Sequence, residues 1–108
     1  MKSADLFMEL VATYRKYGWE LRSVLLQPAT RAVLQELLEQ VPVKEASVDA
    51  LWFSRPSHNN REAWELRLLA QTQYALFETF EADETEEERA DVKLEMQAKL
   101  REYVLGSS

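Results

Sequence analysis

The sequence predicts an α+β fold in the order α-β-α-β-β-β-α, an antiparallel meander sheet with helices packed mainly on one face. Three observations lead there. Apolar residues recur at helical spacing near both ends and in the second quarter, the period changes to two from Asp49 onward, and turn residues separate the segments.

The first helix is expected over about residues 4–17. Leu6, Phe7, Leu10, Val11 and Tyr14 form one stripe, Ser3 suits the N-cap, and Arg15, Lys16 and Gly18 suit the far end. A strand over about 19–26 follows, in which Trp19, Leu21, Ser23 and Leu25 alternate with Glu20, Arg22, Val24 and Leu26. Its polar residues come early, so its far end is expected to be buried on both sides. Pro28 breaks that strand, and Val33, Leu34, Leu37, Leu38 and Val41 carry a second helix over about 29–41, closed by Pro42. Residues 43–48 read as a connector.

Three strands are expected at about 49–55, 62–70 and 74–81. Pro56 ends the first or marks it as an edge, and Asn59-Asn60 supplies residues that tolerate positive φ. The acidic run 81–88 reads as a helix start rather than a cation site, because Thr85-x-x-Glu88 is a capping box and carboxylates complement the helix dipole. The last helix, about 85–104, carries Val92, Met96, Leu100 and Tyr103. Its residues also alternate as a strand would, but helix formers dominate it.

Composition bounds the function. The 108 residues, 46% hydrophobic and 30% charged, have the balance of a single compact domain, 1–108. A net charge of −6 argues against nucleic acid and against anionic membrane surfaces as partners. There is no cysteine, no apolar signal-peptide core and no run long enough to span a bilayer, so a cytoplasmic location is expected. No cofactor or metal is expected, since there is no Gly-rich phosphate loop, nucleophile elbow or ligand spacing. His58 beside Ser57 lacks an orienting partner and reads as a turn residue. Trp19-Glu20-Leu21-Arg22 recurs as Trp64-Glu65-Leu66-Arg67, but the match ends there, so a duplication is not inferred.

The stretch 49–81 holds the only histidine, two of the three tryptophans and three of the four phenylalanines. With hairpins closed at Asn59-Asn60 and Gln71-Thr72, one face is Leu51, Phe53, Trp64, Leu66, Leu68, Ala75 and Phe77, the expected core face. The other carries Trp52, Ser54, Glu65, Arg67, Leu69, Tyr74, Leu76, Glu78 and Phe80. In that register Trp52 lies across from Arg67, and Glu65 lies between Ser54 and Glu78. An odd change in either loop length would turn one strand over.

A non-catalytic protein–protein interaction domain is therefore expected, self-associating as a homodimer or binding another protein through this face. Trp52, Arg67, Leu69, Tyr74, Leu76 and Phe80 are the interface candidates, with Glu65, Glu78 and Ser54 as polar elements. The alternative is a small-molecule or enzymatic site using the Glu65/Glu78 carboxylate pair with Arg67.

Overall fold

The computed structural model describes residues 2–106. Helix α1 spans Ser3–Lys16, β1 Glu20–Leu26 and α2 Pro28–Leu34, continued by a 3-10 turn over Gln35–Leu38. Strands β2 Val43–Glu45, β3 Ala50–Pro56, β4 Glu62–Leu68 and β5 Ala75–Phe80 follow, and α3 Glu86–Gly106 closes the chain. The α+β class and the element order match the sequence reading, with β2 added inside the segment read as a connector.

The five strands lie in the order β2-β1-β3-β4-β5. The sheet is mixed rather than purely antiparallel: β2 runs parallel to β1, and the other neighbours are antiparallel. The chain can return to the parallel edge because α2 serves as the crossover that parallel strands require. Asp49, just before β3, ties this crossover down. Its carboxylate accepts the Gln27 backbone N–H at 2.8 Å and the Thr30 hydroxyl at 2.7 Å.

Helices cover both faces, which corrects the expectation of helices mainly on one. Phe7, Leu10, Leu34 and Leu38 from α1 and α2 pack on Val24, Leu26, Leu51 and Phe53. On the reverse face Met96 and Leu100 of α3 pack on Leu25, Ala50, Trp52, Leu66 and Leu68. The physical reason lies in β1 and β3, whose Val24-Leu25-Leu26 and Ala50-Leu51-Trp52-Phe53 runs are buried on consecutive residues. Only a sheet sandwiched between two layers hides both rows.

Several local features follow the sequence closely. Gly18 takes φ +88 after α1, and Asn59 and Asn60 take φ 59 and 62 in the β3–β4 loop. Thr85 N–H donates to Glu88 Oε1 and Glu88 N–H to Thr85 Oγ1, both at 3.1 Å, completing the reciprocal cap of α3. Ser3 is already helical, and Lys2 occupies the cap position of α1 without a side-chain hydrogen bond. Helix α2 is shorter than expected, and Val33 and Leu37 are exposed beside the buried Leu34 and Leu38. A bulge at Arg22 resets β1, so that Leu21 and Val24 pair with Phe53 and Leu51 on one face.

Candidate interaction surface

The register differs from the expected one by a single residue on each side of β4. Trp52 pairs with Leu66 and Phe53 with Glu65, while Leu66 pairs with Leu76 and Arg67 with Ala75. Longer loops cause both shifts: Ser57 N–H closes on the Arg61 carbonyl at 2.8 Å, and Leu68 N–H on the Tyr74 carbonyl at 3.0 Å. Two odd changes cancel between β3 and β5 and turn β4 alone over.

That rotation divides the candidate residues. Trp52, Ser54, Leu76, Glu78 and Phe80 share the α3 face, joined by Trp64, Leu66 and Leu68, whereas Glu65 and Arg67 point to the α1 face. Trp52 and Phe80, 4% and 1% exposed, lie beneath α3. Tyr74 stacks on Tyr103 of α3 with ring centroids 3.7 Å apart. Leu69 is buried in the α1/α2 cluster, and Ser54 is buried as well.

Two expected contacts are therefore not made. Trp52 meets Trp64 edge-on at 6.0 Å instead of Arg67. Arg67 donates from Nε to the Leu68 carbonyl at 3.1 Å. Glu65 and Glu78 occupy opposite faces of adjacent strands, opposing Phe77 and Trp64 respectively, so they form no carboxylate pair.

Glu65 has a different partner. Tyr14 of α1 stacks on Phe53 at 4.0 Å and donates its hydroxyl to Glu65 Oε2. Burial pushes the Tyr14 phenol up to about 12, and the Glu65 carboxylate adds to that, while Arg67 pulls the other way. Tyr14 is thus a proton donor across the neutral range, and Glu65 is held as its acceptor. A cavity of about 340 Å³ opens beside them, lined by Thr13, Tyr14, Tyr17, Trp19, Arg55 and Glu65. Arg55 lies 4.7 Å over the Trp19 ring and donates to the Tyr17 carbonyl at 2.9 Å. A second cavity, about 440 Å³, lies by Arg22, Arg61 and Glu62. Arg22 and Arg61 are matched there by Glu20 at 3.4 Å and Glu81 at 2.7 Å. Among the described residues no group of three or more His, Asp or Glu side chains could hold a metal ion, and no helix is long and apolar enough to cross a membrane.

The α1/α2 layer stops short of the last strand. Ala75 and Phe77 of β5 lie exposed on that face, with Phe77 58% accessible and resting edge-on against Trp19 at 6.3 Å. Strand β5 is also a sheet edge. The result is an exposed strip of Tyr17, Phe77 and Ala75, backed by the buried Trp19, running from the end of α1 to the open edge of β5. Sequence reasoning placed Phe77 and Ala75 in the core, read Tyr14 only as part of the apolar stripe of α1, and did not single out Tyr17. Phe77 and Ala75 do share the face of Leu51 and Phe53, and are exposed because α1 and α2 stop short of β5. The loops around β4 were the missing signal for Glu65, which they turn toward Tyr14.

No family model, no curated protein and no solved structure matches this chain at a significant level.

Proposed function

We propose that this chain is a non-catalytic protein–protein interaction domain that self-associates through the uncovered strip on the α1 side of β5. The observation that carries this reading is Phe77, a large aromatic 58% exposed on an edge strand that no helix of its layer covers. Exposed apolar edges are ordinarily blunted by lysine, proline or a covering element. Ala75-Leu76-Phe77-Glu78-Thr79-Phe80 contains neither lysine nor proline. The strip replaces the α3-side face as the candidate surface, because α3 occupies that face. Sedimentation velocity at micromolar concentration tests the reading. A dimer that becomes a monomer in Phe77→Lys with an unchanged circular dichroism spectrum supports it, and a strictly monomeric wild-type protein removes it.

The small-molecule alternative keeps one observation in its favour, the cavity beside Trp19, Arg55 and Glu65. Without an opposed second carboxylate, it is a binding reading rather than an acid–base one.

A further inference from the structure

The hydrogen-bond pattern of β5 carries the proposal further. In an antiparallel pair, residues alternate between exchanging both main-chain bonds with the partner strand and turning those groups away. Leu68 N–H bonds the Tyr74 carbonyl, so the register makes Leu66/Leu76, Trp64/Glu78 and Glu62/Phe80 the bonded pairs. Ala75, Phe77 and Thr79 consequently turn their N–H and C=O groups to the open edge. The Thr79 N–H agrees with this placement: it is 3.2 Å from the Glu78 side-chain oxygen rather than on β4.

We propose that this edge pairs with the β5 edge of a second copy, antiparallel, about a two-fold axis through Phe77. The inference rests on the self-association reading above and assigns its register. Outward residues must oppose outward residues, so the axis passes through a residue and not between two. An axis through Glu78 would set that carboxylate directly against its symmetry mate, a destabilising like-charge pair. An axis through Leu76 would carry Thr79 past the start of the partner strand. The axis through Phe77 matches Ala75 with Thr79 of the second copy and Phe77 with itself, forming about six main-chain hydrogen bonds. It also brings the two exposed phenyl rings together on the α1 face and sets each Glu78 against Leu76 of the other copy on the α3 face.

The flank of α3 is complementary about the same axis. Helix α3 runs antiparallel to β5, with Arg89 5.5 Å over Phe80 at one end and Tyr103 on Tyr74 at the other. Lys99, Glu102 and Tyr103 line a cavity with Tyr74, which places that side of the helix toward the β5 edge. Glu95, one turn before Lys99, shares the flank. Both are exposed, and neither forms an ion pair among the described residues. Rotation about Phe77 passes the two α3 helices antiparallel with their midpoints near Met96. Each Glu95 then falls within a turn of Lys99 in the other copy and equally near the other Glu95, so the two Lys99 side chains neutralise a Glu95 pair that would otherwise repel.

Amide hydrogen exchange of the full chain across a dilution series, read with sedimentation, tests the register. The expected result is a dimer in which Ala75, Phe77 and Thr79 exchange slowly at high concentration and quickly on dilution. Lys99→Glu should weaken dimerisation at least about tenfold, and Glu95→Lys with Lys99→Glu should restore it. A dimer in which those three amides exchange at the same rate at every concentration overturns the β5 register and leaves self-association standing. Failure of the charge swap to restore dimerisation overturns the placement of the α3 flank. A strict monomer overturns both this inference and the reading beneath it.

Discussion

Tyr14 of α1 donates its hydroxyl to the carboxylate of Glu65 on β4, joining the first helix to the strand that the loops turn over. The contact needs Glu65 on the α1 face, and so depends on the rotation of β4. It also predicts alkaline behaviour. The phenol titrates at about 12 in the fold against 10.0 ordinarily. The native state therefore holds the proton more tightly, and the stability associated with it is present below pH 10 and lost as the pH rises toward 12. Tyr14 is only half-buried, so solvent screening reduces the effect well below what the shift alone implies. Phenolate absorbance should show a late-titrating component that is absent from Tyr14→Phe. That variant should lose about 1 kcal/mol at neutral pH by denaturant unfolding.

The α3 cap makes an acid-side prediction. The Thr85 backbone amide, and after it the Thr85 side chain, holds the Glu88 carboxyl below its ordinary value near 4.5. A depressed carboxylate contributes stability above its ordinary pKa, lost as the pH falls through the lowered folded value. Thr85→Ala should cost about 1 kcal/mol at neutral pH, the usual loss for an N-cap of this type. Carbon-detected NMR titration should move the Glu88 midpoint upward in that variant. The Thr85 amide remains in that variant, so an unchanged midpoint would mean that the Thr85 hydroxyl adds nothing to the Glu88 carboxylate in solution.

Element type was legible in the sequence wherever local chemistry decided it. Thr85 and Glu88 marked the start of α3, and Gly18, Asn59 and Asn60 marked positions of positive φ. Strand β2 was not legible because Val43-Lys44-Glu45 is too short to show a period. The facing of β4 was not legible for a different reason. Its rows, Trp64-Leu66-Leu68 and Ala63-Glu65-Arg67, are unequal in polarity, and assuming one covered face sent every apolar row to the same side. Helix α3 covers the second face, so Trp64, Leu66 and Leu68 have a core of their own. Side-chain period fixes which residues share a row, whereas loop parity fixes which face the row takes. For the candidate site this meant that Trp52, Leu76 and Phe80 were correctly grouped, while Glu65 and Arg67 were grouped with the wrong neighbours.

Lys93 supplies a second pH-dependent contact on the α3 face, with Nζ 3.5 Å from the Trp64 ring centroid and 5.8 Å from that of Phe80. Burial lowers its pKa below 10.5, opposed in part by Glu86 and Glu62. The ring face also favours the cation, so desolvation and cation–π attraction pull in opposite directions. A lysine whose pKa is lowered on folding binds its proton more tightly when unfolded. Its contribution to stability therefore rises with pH from the lowered folded value up to about 10.5. Lys93→Met keeps the apolar stem and removes the charge. It should change stability by less than about 1 kcal/mol at neutral pH and flatten that rise when melting temperature is followed across alkaline pH. A loss of several kcal/mol at neutral pH would mean that the cation holds α3 down.

Leu100 and Leu94 lie on the same helix and differ in what they touch. Leu100 is 0% exposed in the cluster with Trp52 and Leu66, whereas Leu94 is 56% exposed on the outer side of α3. Truncating a fully buried leucine loses the transfer energy of its side chain and leaves a cavity, together about 2–5 kcal/mol. For a domain this size that is a large part of the total stability, roughly 5–15 kcal/mol. Leu100→Ala should therefore lower the denaturant midpoint steeply, while Leu94→Ala should stay within about 0.5 kcal/mol of the parent. The comparison also tests the layer order, because the cost at Leu100 exists only if α3 lies flat on the reverse face of the sheet. If both variants unfold like the parent, α3 does not cover that face. Trp52, Leu76 and Phe80 would then be open to solvent and would return as the self-association surface in place of the Phe77 strip.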